Sequence, residues 1–198
     1  MLKKIVFTLL ILSLFLSPDK EGDFLFKVRK KIDSIKPFRV KFLNQVVNDS
    51  VLEIEEKGVM TFRDKGKIKW EYLEPDHKIW ILSDDSYEYY DIEDEQVTRG
   101  KLTKKTQLWI FQLLYTKELI ENINIDTEGR QIHFLNKEEG ADFRIYLSEK
   151  LLPSKIIQKD PTGVEIVYVF SEYKTNITLP SDYFQLKTKG EVDIIELK

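Results

Sequence analysis

The residue types that most often perform chemistry are few in this chain, and their spacing suits none of the common reactions. The two histidines, His77 in a Pro-Asp-His-Lys turn and His133 in a strand-like run, lack metal-ligand spacing and a His-Glu-x-x-His pattern. A chance surface position explains each better than ligation. The acidic run Asp91-Ile92-Glu93-Asp94-Glu95 lacks the Asp-x-Asx-x-Asx-Gly order of a calcium loop and falls where a hairpin must turn. Glu53, Glu55 and Glu56 are spaced as the wet face of a strand. There is no Gly-x-Ser-x-Gly elbow, no Gly-rich phosphate loop and no cysteine. Hydrolytic, nucleotide-dependent and thiolate chemistry are therefore disfavoured, and neither a metal nor another cofactor is expected.

What the chain has in quantity is aromatic residues at strand spacing. They make up 12% of the sequence, and two of the three Trp residues fall between Gly58 and Thr98. There Ile68, Trp70 and Tyr72 alternate with Lys67, Lys69 and Glu71, a period of two that separates apolar from charged side chains. Lys78-Ile79-Trp80-Ile81-Leu82 and Tyr87-Glu88-Tyr89-Tyr90-Asp91-Ile92 follow after polar breaks. The pattern predicts an antiparallel meander with one wet face and one aromatic, aliphatic face. Something must cover that apolar face.

Two segments could do so. Phe24, Leu25, Val28, Ile32 and Ile35 fall at helical spacing before Pro37, which predicts an amphipathic helix over 22–36. Between Gln107 and Ile120, Leu108, Phe111, Leu114 and Tyr115 sit three and four apart, with Ile110 and Leu113 widening the stripe. The remainder reads as strands. Phe38, Val40 and Phe42 alternate with Arg39 and Lys41. Asn48-Asp49-Ser50, Thr127-Glu128-Gly129-Arg130 and Asp160-Pro161-Thr162-Gly163 are turns. Phe143, Ile145 and Leu147 form one later strand, and Ile166 to Phe170, apolar on both faces, should be central. Gly100 to Thr106 reads as a loop, Asp182 to Leu186 as the last ordered piece, and Lys187 to Lys198 as a loose strand or tail.

The expected fold is mainly β (α+β). A single curled antiparallel sheet forms an incomplete barrel, with an N-terminal helix and a mid-chain helical lid. A sheet lined this heavily under a small movable cover can hold a lipid-sized apolar ligand.

At 198 residues, 42% hydrophobic and 33% charged, the chain suits one globular domain. Its net charge of -3, with acidic residues interleaved among basic ones, excludes a general nucleic-acid binder. Lys3 and Lys4 precede an apolar run from Ile5 to Leu16 that ends at Pro18-Asp19. This reads as an export signal over 1–17, with a retained anchor as the alternative, and places the domain at 18–198.

The strands carry an ordered set of motifs: Phe38-x-x-x-Phe42, Gln45, Gly58, Lys67-Ile68-Lys69-Trp70-Glu71-Tyr72 and Pro75. The set continues through Ile79-Trp80-Ile81-Leu82-Ser83-Asp84, Tyr89-Tyr90-Asp91 and Gln96-Val97-Thr98. In these motifs, and afterwards by pattern alone, the chain resembles the LolA family of periplasmic lipoprotein carriers. The resemblance implies an unclosed β-barrel whose helices close over a hydrophobic cavity. It also implies acylated lipoproteins as cargo, received from an inner-membrane ABC transporter and passed to an outer-membrane acceptor by a periplasmic, non-enzymatic protein that is expected to be a monomer. Phe38, Phe42, Ile68, Trp70, Tyr72 and Trp80 would line the cavity, and Leu108, Phe111 and Leu114 would form the lid. The family usually carries a basic residue and Pro six and five places before the Trp, and its Arg tethers the lid. Here Asp64 and Lys65 stand there, which leaves Arg63, one place earlier, as the candidate latch. The rival reading within the fold is an envelope sensor that binds lipid or protein without shuttling it. The rival outside it is an envelope-lipid hydrolase, for which the chain has no nucleophile constellation.

Overall fold

The computed structural model describes residues 20–63, 67–83, 86–101, 123–126, 128–136 and 141–197. The expected signal at 1–17, the lid residues Leu108, Phe111 and Leu114, and the Asp64-Lys65 pair lie outside them.

Among the described residues one helix, α1 (Lys20–Ser34), precedes the strands. Phe24, Leu25, Val28 and Ile32, and Ile35 just beyond, are all buried, whereas Phe26 on the opposite side is exposed. The stripe follows the 3.6-residue period, and the helix stops just ahead of Pro37, where the residue before a proline disfavours the α conformation.

The strands fall into two antiparallel runs. The first comprises β1 (Phe38–Asn48), β2 (Val51–Phe62), β3 (Ile68–Glu74), β4 (Lys78–Ser83), β5 (Ser86–Asp91) and β6 (Gln96–Lys101). The second comprises β7 (Ile123–Asp126), β8 (Gln131–Asn136), β9 (Ala141–Leu147), β10 (Pro153–Lys159) and β11 (Glu165–Lys174). Antiparallel pairing of β1 with β11, Phe42 opposite Phe170, fuses the two runs. A last strand, β12 (Asp193–Glu196), adds to β6 in parallel. The order is β12-β6-β5-β4-β3-β2-β1-β11-β10-β9-β8-β7, one unclosed curled sheet with β12 and β7 at its edges. The turn at Asp49 and Ser50, both with positive φ, suits a tight hairpin and lets β1 run directly into β2.

The inner face of this sheet, defined here as the one α1 covers, carries a single continuous apolar cluster. It reaches from Ile68 and Leu82 at one side to Ile132, Phe143 and Ile145 at the other, with the α1 stripe among its members. Each fully buried side chain of this size contributes about 1.5–3 kcal/mol.

Three expectations need correction. The meander does not have one wet face: Ile79, Ile81, Tyr90 and Val97 form a second buried cluster on its outer face, packed by Phe184, Leu186 and Val192. Residues 96–101 are strand rather than loop from Gly100, because Gly100 and Lys101 continue the antiparallel ladder opposite Tyr87 and Ser86 of β5. The chain end is also placed differently. Residues 181–184 form a turn rather than closing the ordered chain, and of the strand or tail expected over 187–198 it is the strand that forms, at Asp193–Glu196.

Candidate functional site

The candidate site is built from the ladder outward. On the inner face Trp70 stands opposite Trp80, Ile68 opposite Leu82, and Tyr72 opposite Lys78. On the other side of β3, Met60 faces Trp70 and Phe62 faces Ile68. Because side chains alternate along a strand, these registers aim every one of those residues at the same side.

Gly58 completes the wall by having no side chain. It lies between Phe42 on β1 and Tyr72 on β3. A Cβ built there would come 2.6 Å from the tip of the Phe42 ring and 2.2 Å from the Glu71 carbonyl oxygen. The ring of Phe42 can therefore lie across β2 and reach the aromatic rings beyond it. It meets Trp70 edge-on at 5.3 Å and Tyr72 edge-on at 5.0 Å between centroids. Trp70 in turn meets Tyr168 of β11 at 5.2 Å, also edge-on. These separations and tilts suit the ring quadrupoles. Phe38 stacks on Phe62 at 5.3 Å, and Trp80 lies 4.5 Å from Tyr89.

All six residues expected to line the site belong to or pack against the inner cluster. Phe38, Phe42, Ile68 and Trp70 are buried, while Tyr72 and Trp80 are partly buried against them. The sequence reading left out Met60, Phe62, Tyr168, Phe170 and Ile156, which the ladder puts on the same face. The alternation of β10 and β11 is visible in the sequence, but which alternate faced inward was not.

Toward the β1–β2 hairpin the wall becomes polar. Asn44, 5% exposed, donates through Nδ2 to Glu56 at 2.9 Å, and the Lys78 ammonium lies 3.6 Å from Glu56 and 3.0 Å from Asp76. Tyr89 donates to Asp91 at 2.9 Å. Burial pushes the Tyr72 phenol far above its ordinary range, with the neighbouring Tyr168 hydroxyl adding to the effect, and burial raises Tyr168 likewise. Both stay neutral wherever the protein is folded near neutral pH. Asn44 Oδ1 and Trp70 Nε1 are buried without a hydrogen-bond partner.

Arg63 engages the outer side. Its guanidinium sits 5.1 Å over the Phe184 ring and reaches the Pro180 carbonyl at 3.5 Å, both in the segment that packs the outer cluster. His133 bonds Asp142 at 2.9 Å, and His77 lies 3.5 Å from Glu71. Among the described residues no group of three His, Cys, Asp or Glu could hold a metal ion.

Residues 33–187 match the family described as "Outer membrane lipoprotein carrier protein LolA". The chain belongs to the LolA family. An outer-membrane lipoprotein carrier protein of Methylococcus capsulatus is 25% identical over 183 residues, covering 87% of this chain and 87% of the relative. A LolA superfamily protein from Nitrosomonas europaea has a similar fold, with a TM-score of 0.55 at 12% identity over 81% of this chain and 96% of that one. An uncharacterized conserved protein from Thermus thermophilus gives 0.59 at 12% identity, over 90% and 100%. Within this LolA-family chain the Gly58, Trp70 and Tyr72 positions are the meeting point of β1, β2 and β3 on the inner face.

Proposed function

We propose that this LolA-family protein is a periplasmic carrier that holds the acyl chains of lipoproteins against its inner face. It would receive them from an inner-membrane ABC transporter and release them toward the outer membrane, to an acceptor there. The observation that carries the reading is the convergence of Phe38, Phe42, Ile68, Trp70, Tyr72 and Trp80, from three strands, on one apolar wall in an unclosed sheet. An acyl chain gains about 0.8 kcal/mol per buried methylene, so a lipoprotein needs an apolar host of this kind to cross water. In this reading residues 1–17 direct export, residues 18–198 form the carrier, and the protein acts as a monomer without enzymatic activity or cofactor. Leu108, Phe111 and Leu114 serve as the cover. Among the described residues no helix is long and apolar enough to cross a membrane.

Release without nucleotide requires covered and open states that differ by only a few kcal/mol. The test is mass spectrometry of protein purified from an envelope extract, together with titration by a fluorescent triacylated lipopeptide. Co-purifying acylated peptide and saturable uptake are expected. A protein that comes out ligand-free and takes up no lipopeptide is not a carrier.

A further inference from the structure

The inner face has two unsatisfied groups of opposite sense, Asn44 at its polar end and Trp70 in the aromatic wall that follows. Asn44 is 5% exposed and Trp70 is 2% exposed. The Asn44 amide orientation is fixed by its neighbour: the Glu56 carboxylate can only accept, so Nδ2 must face it and Oδ1 is the atom left over. Oδ1 is an acceptor without a donor, and Trp70 Nε1 is a donor without an acceptor. Both belong to the same neighbourhood. Asn44 is opposite Tyr168 in the β1–β11 ladder, and the Trp70 ring packs edge-on against that same Tyr168 at 5.2 Å. Buried polar groups are nearly always satisfied, and a complementary pair left open on one wall is a binding feature to be explained.

We propose that Asn44 and Trp70 form a binding site for an acyl amide: Trp70 Nε1 donates to the acyl carbonyl, and Asn44 Oδ1 accepts from the amide N–H. The proposal rests on the carrier reading and deepens it. A hydrocarbon chain satisfies neither group and an ester satisfies only Trp70, whereas an amide satisfies both. The adjoining wall, with Phe42, Tyr72 and Tyr168, would lie along the first methylenes. Beyond the amide, Glu56, Lys78 and Asp76 offer a charged surface suited to peptide rather than to lipid. The site thus sets the point where acyl chain ends and polypeptide begins.

The test uses the full exported chain and three probes with one C16 chain each: a hexadecanoyl-glycyl peptide, its sarcosyl counterpart lacking the amide N–H, and an O-hexadecanoyl ester. Affinity for the glycyl probe should exceed that for the other two by about tenfold, the worth of one hydrogen bond in a buried setting. In N44L the glycyl preference should vanish. The Trp70 indole N–H resonance, identified by its loss in W70F, should move downfield when the glycyl probe binds. Equal affinity for glycyl and sarcosyl probes in the unmodified protein overturns the amide site and leaves apolar carriage standing; that comparison does not depend on either variant folding. Failure of all three probes to bind overturns the carrier reading itself, and the amide site with it.

Discussion

Around β4 both faces of the sheet are apolar, yet they are built for different purposes. The inner face is aromatic: Trp70 and Trp80 stand opposite each other across the ladder, with Phe42, Tyr72 and Tyr168 adjoining. The outer face is mainly aliphatic, with Ile79, Ile81 and Val97 around one Tyr90, under a C-terminal segment that is hydrogen-bonded down. Tyr183 in that segment accepts from Arg39 at 2.9 Å and shares a 3.0 Å hydrogen bond with Thr61, which is 1% exposed. Asn176 and Ile177 donate to the carbonyls of Ile35 and Pro37. A cover tied by directional bonds to fixed partners belongs to the permanent core. A wall of rings whose main contacts are non-directional can exchange one apolar partner for another at little cost.

The comparison is broken most severely at Trp70. W70A should destabilise the protein by about 3–5 kcal/mol, as expected for removing a buried Trp, and should also abolish lipopeptide uptake; urea denaturation and fluorescence titration measure the two. I81A should cost about 2–5 kcal/mol while leaving uptake intact in the fraction still folded. If I81A lowered uptake as much as W70A, the division of labour between the faces would fail. G58A should cost about 1–3 kcal/mol, because its Cβ must displace both the Phe42 ring and the β3 backbone at Glu71, and it should weaken uptake through the tilt of Phe42. Y183F removes the hydroxyl shared by Arg39 and Thr61 and should cost about 1 kcal/mol, lowering the denaturation midpoint without altering lipopeptide affinity.

The smallest effect at neutral pH concerns the inner phenols. Their folded-state ionisation is displaced upward by burial at Tyr72, Tyr168 and Tyr173. The unfolded chain therefore loses those protons first. The stability they contribute is present below about pH 10, the ordinary Tyr value, and is lost as pH rises above it. Denaturation midpoints measured from pH 8 to 11 should fall at the alkaline end, and fall less in Y72F. A flat profile would mean that these rings are wetter than the inner wall requires.

The inner face was readable in the sequence because its signals are local. Ile68, Trp70 and Tyr72 alternate within one strand, and the α1 stripe repeats within one helix, so short-range periodicity suffices. The outer cluster was not readable for the opposite reason. Ile79 and Ile81 are visibly apolar, but their cover comes from Phe184, Leu186 and Val192, about a hundred residues along, in a segment with no period of its own. The parallel pairing of β12 with residues 96–99 was hidden in the same way, since the two strands stand almost as far apart in the chain. At the site, residue types indicated a wall but not its polar end. Asn44 has no periodic or motif signal of its own, and only the ladder sets it opposite Tyr168.

The failure of the sheet to close has a mechanical consequence. A closed barrel can widen only by breaking ladder hydrogen bonds, and each is worth about 0.5–1.5 kcal/mol. Here β7 and β12 are unjoined edges, so the sheet can change its girth by a small added twist at each strand pair while keeping every ladder intact. For the carrier proposed above this means a spring clip rather than a cup: bulkier cargo would be accommodated by elastic opening, with the restoring curl pressing on it. One sequence could then grip passengers of unequal girth, the bulkier ones more firmly.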